Sequence, residues 1–128
     1  MTRPVVVAAA VIERASRFLL TRRPKGSHLE GLWEFPGGKC ETAESLPCCL
    51  ARELREELAV DVVVGDEVLV VVHPYPDRCV ELHFLKCRLT GDPVPQLGQE
   101  MRWVTREELR SLEFPPADRE LIERLAAT

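Results

Sequence analysis

The stretch from Gly38 to Val60 constrains this chain more than any other. It opens on a Gly-Gly turn after Pro36 and runs into a segment dense in carboxylates. A helix advances about 100° per residue, so Leu50, Ala51, Leu54 and Leu58 fall within one sector of about 100°. Glu53, Glu56 and Glu57 gather in the neighbouring sector. One face suits a core, and beside it stand like charges at i, i+3 and i+4, which repel by roughly a few tenths of a kcal/mol per pair. Arg52, four residues before Glu56, relieves part of this. On the residues alone the acidic face fits two readings. One is a solvated helix surface. The other is a grip on a hard divalent cation such as Mg²⁺, completed by backbone carbonyls that the glycine turn brings close.

The rest of the chain divides into short elements. Pro4 to Ile12, rich in Val, predicts a central strand buried on both faces. Phe18 to Thr21 predicts a second strand, antiparallel to the first across a short turn. Pro24 to Gly31 is a polar loop, and Leu32 to Phe35 a short strand leading into the glycines. Ser45 is the expected N-cap of the acidic helix, with Pro47 in its first turn. Asp61 to His73 reads as a strand broken near Gly65-Asp66, followed by a turn over Pro74 to Arg78. Val80 to Phe84 alternates cleanly, but Leu85, Cys87 and Leu89 continue in the opposite phase, and a bulge near Phe84-Leu85 would explain the slip. After a short strand at Met101 to Val104, Thr105 and Glu108 form a capping box. Leu121, Ile122 and Leu125 make one stripe of a final helix. This order predicts an α+β fold with a mixed sheet between helices, residues 1–128 forming one domain.

Charge and cysteine content exclude several classes. With 128 residues, 45% apolar and 30% charged, the chain fits a globular domain with a real core. A net charge of −4 gives no general pull toward duplex nucleic acid or an anionic membrane. The longest apolar run, Val5 to Ile12, is far below the ~20 residues a bilayer requires, and it has no cleavage region of a leader. The five cysteines show no Cys-x-x-Cys pair and no zinc spacing. They read as structural thiols of a reducing cytoplasm, with Cys48 and Cys49 helping to cover the helix.

The acidic stretch resembles the Nudix box. Gly38, Glu44, Arg52, Glu53, Leu54, Glu56, Glu57 and Val60 fall at its spacing, with Ala59 where the box usually has Gly. That position usually follows the helix in a left-handed conformation, so Ala59 should carry strain but removes no ligand atom. The resemblance implies an α/β/α sandwich and Mg²⁺-dependent hydrolysis of a phosphoanhydride, with Mn²⁺ as the alternative ion. It implies Glu53, Glu56, Glu57 and the Gly37 carbonyl as metal ligands, and Arg52 beside them as an orienting catalytic residue. Glu53 is the preferred base, although the sequence does not separate ligand from base among these. Glu44 reads as a supporting contact near the helix start.

Thr21-Arg22-Arg23, Glu34 to Lys39, Asp77-Arg78 and Phe114 to Ala117 extend the resemblance to the MutT branch, which cleaves (deoxy)nucleoside triphosphates to monophosphate and pyrophosphate. Its type substrate is 8-oxo-dGTP, and its task is sanitising the pool that DNA replication and repair draw on. By that resemblance Arg23 and Arg78 contact the nucleotide, His28 lies in the loop over it, and Glu34, Phe35, Pro36 and Gly37 line the base pocket, with Gly38 and Lys39 beside them. The protein would act on a nucleotide in the cytoplasm as a monomer or homodimer. Two departures bear on substrate. The branch's purine-reading Asn is Asp118, which offers only acceptors when ionised, so oxidised guanine and a cytosine-type base, as in CTP or a modified dCTP, both stay open. The acidic residue expected before Gly98-Gln99 is Leu97, and Glu100 either replaces it or is a surface charge. A third possibility is a Nudix-like module that recognises a base without cleaving anything.

Overall fold

The Val-rich run becomes the strand on which the other elements are assembled. In the computed structural model, which describes residues 4–27 and 29–127, β1 (Val5–Arg14) sends Ala9 and Val11 into one core and Ala8, Ala10 and Ile12 into another. A strand covered on both sides has no solvated face, which is why its sequence shows no polar alternation. It pairs antiparallel with β2 (Arg17–Arg22) and parallel with β6 (Arg78–Leu89). The sheet runs β3 (Trp33–Glu34), β2, β1, β6, β5 (Val62–Tyr75). Two further strands join it off that path, β4 (Gly37–Lys39) on β1 and β7 (Met101–Val104) on β2.

Helices cover both faces. Cys49, Leu50, Leu54 and Leu58 of α1 (Leu46–Leu58) pack on the Ala8, Ala10 and Ile12 side. On the other side lie α2 (Arg106–Leu109), a 3₁₀ turn at Pro116–Asp118 and α3 (Arg119–Ala126), which bury Leu109, Leu121 and Ile122. The result is the expected α+β sandwich, a mixed sheet between helices. The caps follow the sequence. Ser45 Oγ accepts the Cys48 N–H at 3.2 Å, and Thr105 and Glu108 form a reciprocal box. Ala59 takes φ 50°, ψ 42°, and its N–H closes the helix on the Arg55 carbonyl at 3.0 Å.

Four expectations need correction. The glycines after Pro36 form no simple turn: Gly37 and Gly38 belong to β4, paired with Ala9 and Ala8. The bulge expected in β6 is absent, whereas the break expected near Gly65-Asp66 is present in β5. β6 keeps unbroken register with β1 from Val80 to Cys87, whereas the β5 ladder shifts between Val64 and Glu67 and again before Leu69. Leu82 and Phe84 enter one core and Leu85 and Cys87 the other. The change of phase in β6 is therefore a change of core layer along a regular strand. The turn after β5 is narrower than expected, with Tyr75 paired to Arg78 across Pro76-Asp77. Pro74 fits inside β5 because that strand is an edge. Finally, Cys49 is buried but Cys48 is exposed, so only one of the adjacent thiols covers the core.

Candidate active site

β4 is the element on which the site turns. A Cβ built on Gly38 would fall on the Glu53 carboxylate. A Cβ on Gly37 would fall on the Ala8 carbonyl oxygen and within 2.8 Å of Ala9 Cα. Gly37 therefore lets β4 close on β1, and Gly38 lets it close on α1, to a distance any side chain would prevent.

Arg52 organises the carboxylates of α1. Its Nε and Nη2 grip both oxygens of Glu44 at 2.8 and 2.9 Å. Its Nη1 donates to Glu53 at 2.8 Å and more weakly to Glu56 at 3.4 Å, while Nη2 also reaches the Lys39 carbonyl at 3.1 Å. The forked guanidinium, aided by the Glu41 backbone, holds the Glu44 carboxyl down at about 2. Glu57 is in the opposite situation. Burial, then the charges of Glu53 and Glu34, push its carboxyl well above the usual range, and it hydrogen-bonds Glu53. A hydrogen bond with the Gly37 backbone only partly compensates.

Glu53, Glu57 and Gly37 are thus brought together, and Glu56 is not: its side chain is 60% exposed and turned toward Arg52. Among the described residues no three carboxylates, imidazoles or thiols stand ready around one point. The donor chemistry nevertheless fits a hard divalent ion. Carboxylate oxygens are crowded against one another beside the Gly37 backbone, and added positive charge would relieve the repulsion that raises Glu57. Glu56, mostly exposed and weakly held, is free to turn.

On its other side β4 borders a cleft of about 290 Å³. Gly37, Gly38 and Lys39 form one wall, and Glu34, Phe35, Arg23, Arg78 and Asp118 also line it. Asp118 is only 5% exposed. Burial, and secondarily the charge of Glu34, push its carboxyl up to about 7. Glu34 is raised by burial as well, but Arg23, bonded to it at 3.1 Å, opposes the shift. Phe35 is buried, stacked on Phe114 at 5.9 Å and edge-on to Phe84 at 6.0 Å. Pro36 is buried too, its carbonyl accepting the Ala10 N–H at 2.7 Å. Arg78 stands at the rim, 43% exposed, with Asp77 3.8 Å away.

His28 lies outside the described residues. Glu100 is off the cleft, paired with Arg22 at 3.0 Å and 62% exposed. Tyr75, Leu82 and Phe84, to which the sequence assigned no functional part, also line the cleft. The alternation of Leu82 and Phe84 was visible, but an apolar strand face reads alike whether it floors a cavity or fills a core. For Tyr75 there was no signal beyond its place at a turn.

A sheet between helices, with a glycine strand joining a carboxylate helix to a deep cleft, defines a Nudix-type hydrolase. The chain belongs to that family: the family described as "NUDIX domain" matches residues 7–124. It is 38% identical over 124 residues to the CTP pyrophosphohydrolase of Escherichia coli, spanning 96% of this chain and 92% of that one. It is 33% identical over 123 residues to the 8-oxo-dGTP diphosphatase of Haemophilus influenzae, covering 94% and 90%. A crystal structure of the MutT protein from Methanosarcina mazei superposes with a TM-score of 0.86 at 28% identity, over 99% of this chain and 96% of that one. The protein is a Nudix hydrolase acting on nucleotides. Among the described residues no helix is long and apolar enough to cross a membrane.

Proposed function

We propose that this protein is a Mg²⁺-dependent pyrophosphohydrolase that removes damaged nucleoside triphosphates from the cytoplasmic pool, residues 1–128 acting as one Nudix domain. The observation that carries the reading is the juxtaposition across β4. Buried acid groups suited to a base lie on one side, and crowded carboxylates suited to a metal and phosphates lie on the other. Glu53, Glu57, the Gly37 carbonyl and, after turning, Glu56 would hold the ion, with Mn²⁺ an acceptable substitute. When bound, the ion neutralises phosphate charge and makes a water more acidic.

The chain's own residues do the rest. Arg52 holds Glu53 in orientation, and the Glu53 carboxylate accepts the proton of the attacking water. Arg23, Arg78 and Lys39 supply cations along the cleft for the phosphates. Water adds across the anhydride joining the α and β phosphates, and monophosphate and pyrophosphate leave. Glu100, already neutralised by Arg22, is outside the proposed ligand set.

For the base, the reading gives 8-oxo-dGTP first place. Guanine offers two acceptors, N7 and O6, on its major-groove edge. Oxidation at C8 puts a hydrogen on N7, so that edge becomes one donor and one acceptor. An Asp118 titrating at about 7 is about half carboxylic acid at neutrality, and that form has one donor and one acceptor to match. A second reading, CTP or 5-methyl-dCTP, is favoured by Glu34, which can accept from an exocyclic amino group while Asp118 serves the adjacent ring nitrogen. Values of kcat/KM with Mg²⁺ for 8-oxo-dGTP, dGTP, CTP and 5-methyl-dCTP decide between them. The expected result is 8-oxo-dGTP ahead of dGTP by about 100-fold or more. CTP at the head of the series would install the second reading, and turnover of none would make the protein a binding module.

A further inference from the structure

The carboxylate helix ends in a clasp that the reaction so far described does not use. The last carbonyls of a helix have no partner within it. Here the connection between β6 and β7 folds back to supply donors: the Val94 N–H reaches the Leu58 carbonyl at 2.8 Å, and the Gln96 N–H reaches that of Glu57 at 2.9 Å. A side chain completes the clasp. Gln99 Nε2 donates to the same Glu57 carbonyl at 3.1 Å, while Gln99 Oε1 accepts the Leu97 N–H at 2.8 Å. The next residue is tied to the base side, since the Arg22 N–H bonds the Glu100 carbonyl at 3.0 Å. Arg22 leads directly into Arg23, which holds Glu34.

We propose that Gln99 is a positioning residue for the Nudix carboxylates, holding the last turn of α1 so that Glu57 faces Glu53 and Gly37. The inference rests on the metal reading above. Glu53 and Glu57 stand at i and i+4, one turn apart on the same side of the helix. A frayed last turn would let Glu57 swing outward, and the ion would then have to gather its ligands. The donors at the Glu57 carbonyl remove that freedom. Gln99 also links the two halves of the site, because its segment bonds the end of α1 on one side and the end of β2 on the other. It stands two residues after Leu97, the position where an acidic side chain was expected, and contributes through the backbone of Glu57 instead of through a ligand of its own.

The test uses two variants of the whole protein. Gln99→Met keeps the length and apolar bulk but loses both hydrogen bonds, and Gln99→Lys restores a donor long enough to reach the Glu57 carbonyl. Mn²⁺ binding to the nucleotide-free protein, read from the paramagnetic resonance of free Mn²⁺, should weaken about tenfold in Gln99→Met, the scale on which outer partners of metal ligands act. Its kcat at fixed Mg²⁺ should fall by about the same factor with nucleotide KM within about twofold. The thermal midpoint should drop by no more than about 4 °C. Gln99→Lys should recover most of the Mn²⁺ affinity and kcat. The proposal is overturned if Gln99→Met keeps both, or if both fall only in proportion to unfolded protein and Gln99→Lys recovers neither. Wild-type protein that binds no Mn²⁺ would instead overturn the metal reading beneath it.

Discussion

In Glu53→Gln, kcat for the preferred triphosphate should fall by about a thousandfold, while the thermal midpoint at pH 8 stays level or rises. Gln keeps the shape that fits against Gly38, and its amide oxygen can still accept from Arg52 Nη1. What disappears is a charge, and with it a proton acceptor and a ligand. Stability should not suffer, because Glu53 is one of the charges that raise Glu57. A carboxyl with a raised folded pKa contributes stability that is fully present below its unfolded pKa and is lost as pH rises through the folded value. Removing the Glu53 charge lowers the folded pKa of Glu57 and shrinks that loss, so the benefit appears at neutral pH and above. Activity lost without stability lost would mark Glu53 as working chemically. Activity kept within about tenfold would remove it from that role.

The second large effect concerns Asp118. Its carboxyl titrates at about 7, against an ordinary value of 3.8. The stability it contributes is complete below pH 3.8 and is progressively lost up to about pH 7. Asp118→Asn has no such loss. It should therefore be the more stable protein by roughly 2–4 kcal/mol above pH 7, and the advantage should fade toward pH 4. Urea midpoints measured across that range test this. Specificity should change with it. The Asn amide is a donor and an acceptor at every pH, so the ratio of kcat/KM for 8-oxo-dGTP to that for CTP should rise by about tenfold at pH 8, where only about a tenth of wild-type Asp118 keeps its proton. The same ratio should become flat between pH 6 and 8. An unchanged ratio would mean that Asp118 does not face the base.

The parts of this protein legible from sequence are those encoded by local chemistry. α1 could be placed from Ser45 to Ala59 because caps, stripe and charge spacing agree within one short window. The same window put Glu53, Glu56 and Glu57 on one sector of the helix, but it did not show that Glu56 turns toward Arg52. β4 was read as a turn because Gly-Gly-Lys has no strand character of its own: its pairing is imposed by β1, some thirty positions earlier in the chain. The change of phase in β6 was given to a bulge because a single sequence does not say that different layers cover the two ends of a strand. Tyr75 and Gln99 were invisible for a related reason. Each matters through a neighbour distant in sequence, the cleft wall for Tyr75 and the Glu57 carbonyl for Gln99. Asp118 was noticed as a departure, but its raised pKa depends on burial and on Glu34, which only the fold brings near.

The most direct test of the metal-carboxylate reading is a crystal structure of the wild-type protein with Mg²⁺ and a triphosphate whose α,β bridge cannot be hydrolysed. The expected result is an ion about 2.1 Å from oxygens of Glu53, Glu57 and the Gly37 carbonyl and in contact with the phosphates. The base should lie between Glu34 and Asp118. Phosphates and ion bound elsewhere, with Glu53 and Glu57 still hydrogen-bonded to each other, would contradict it.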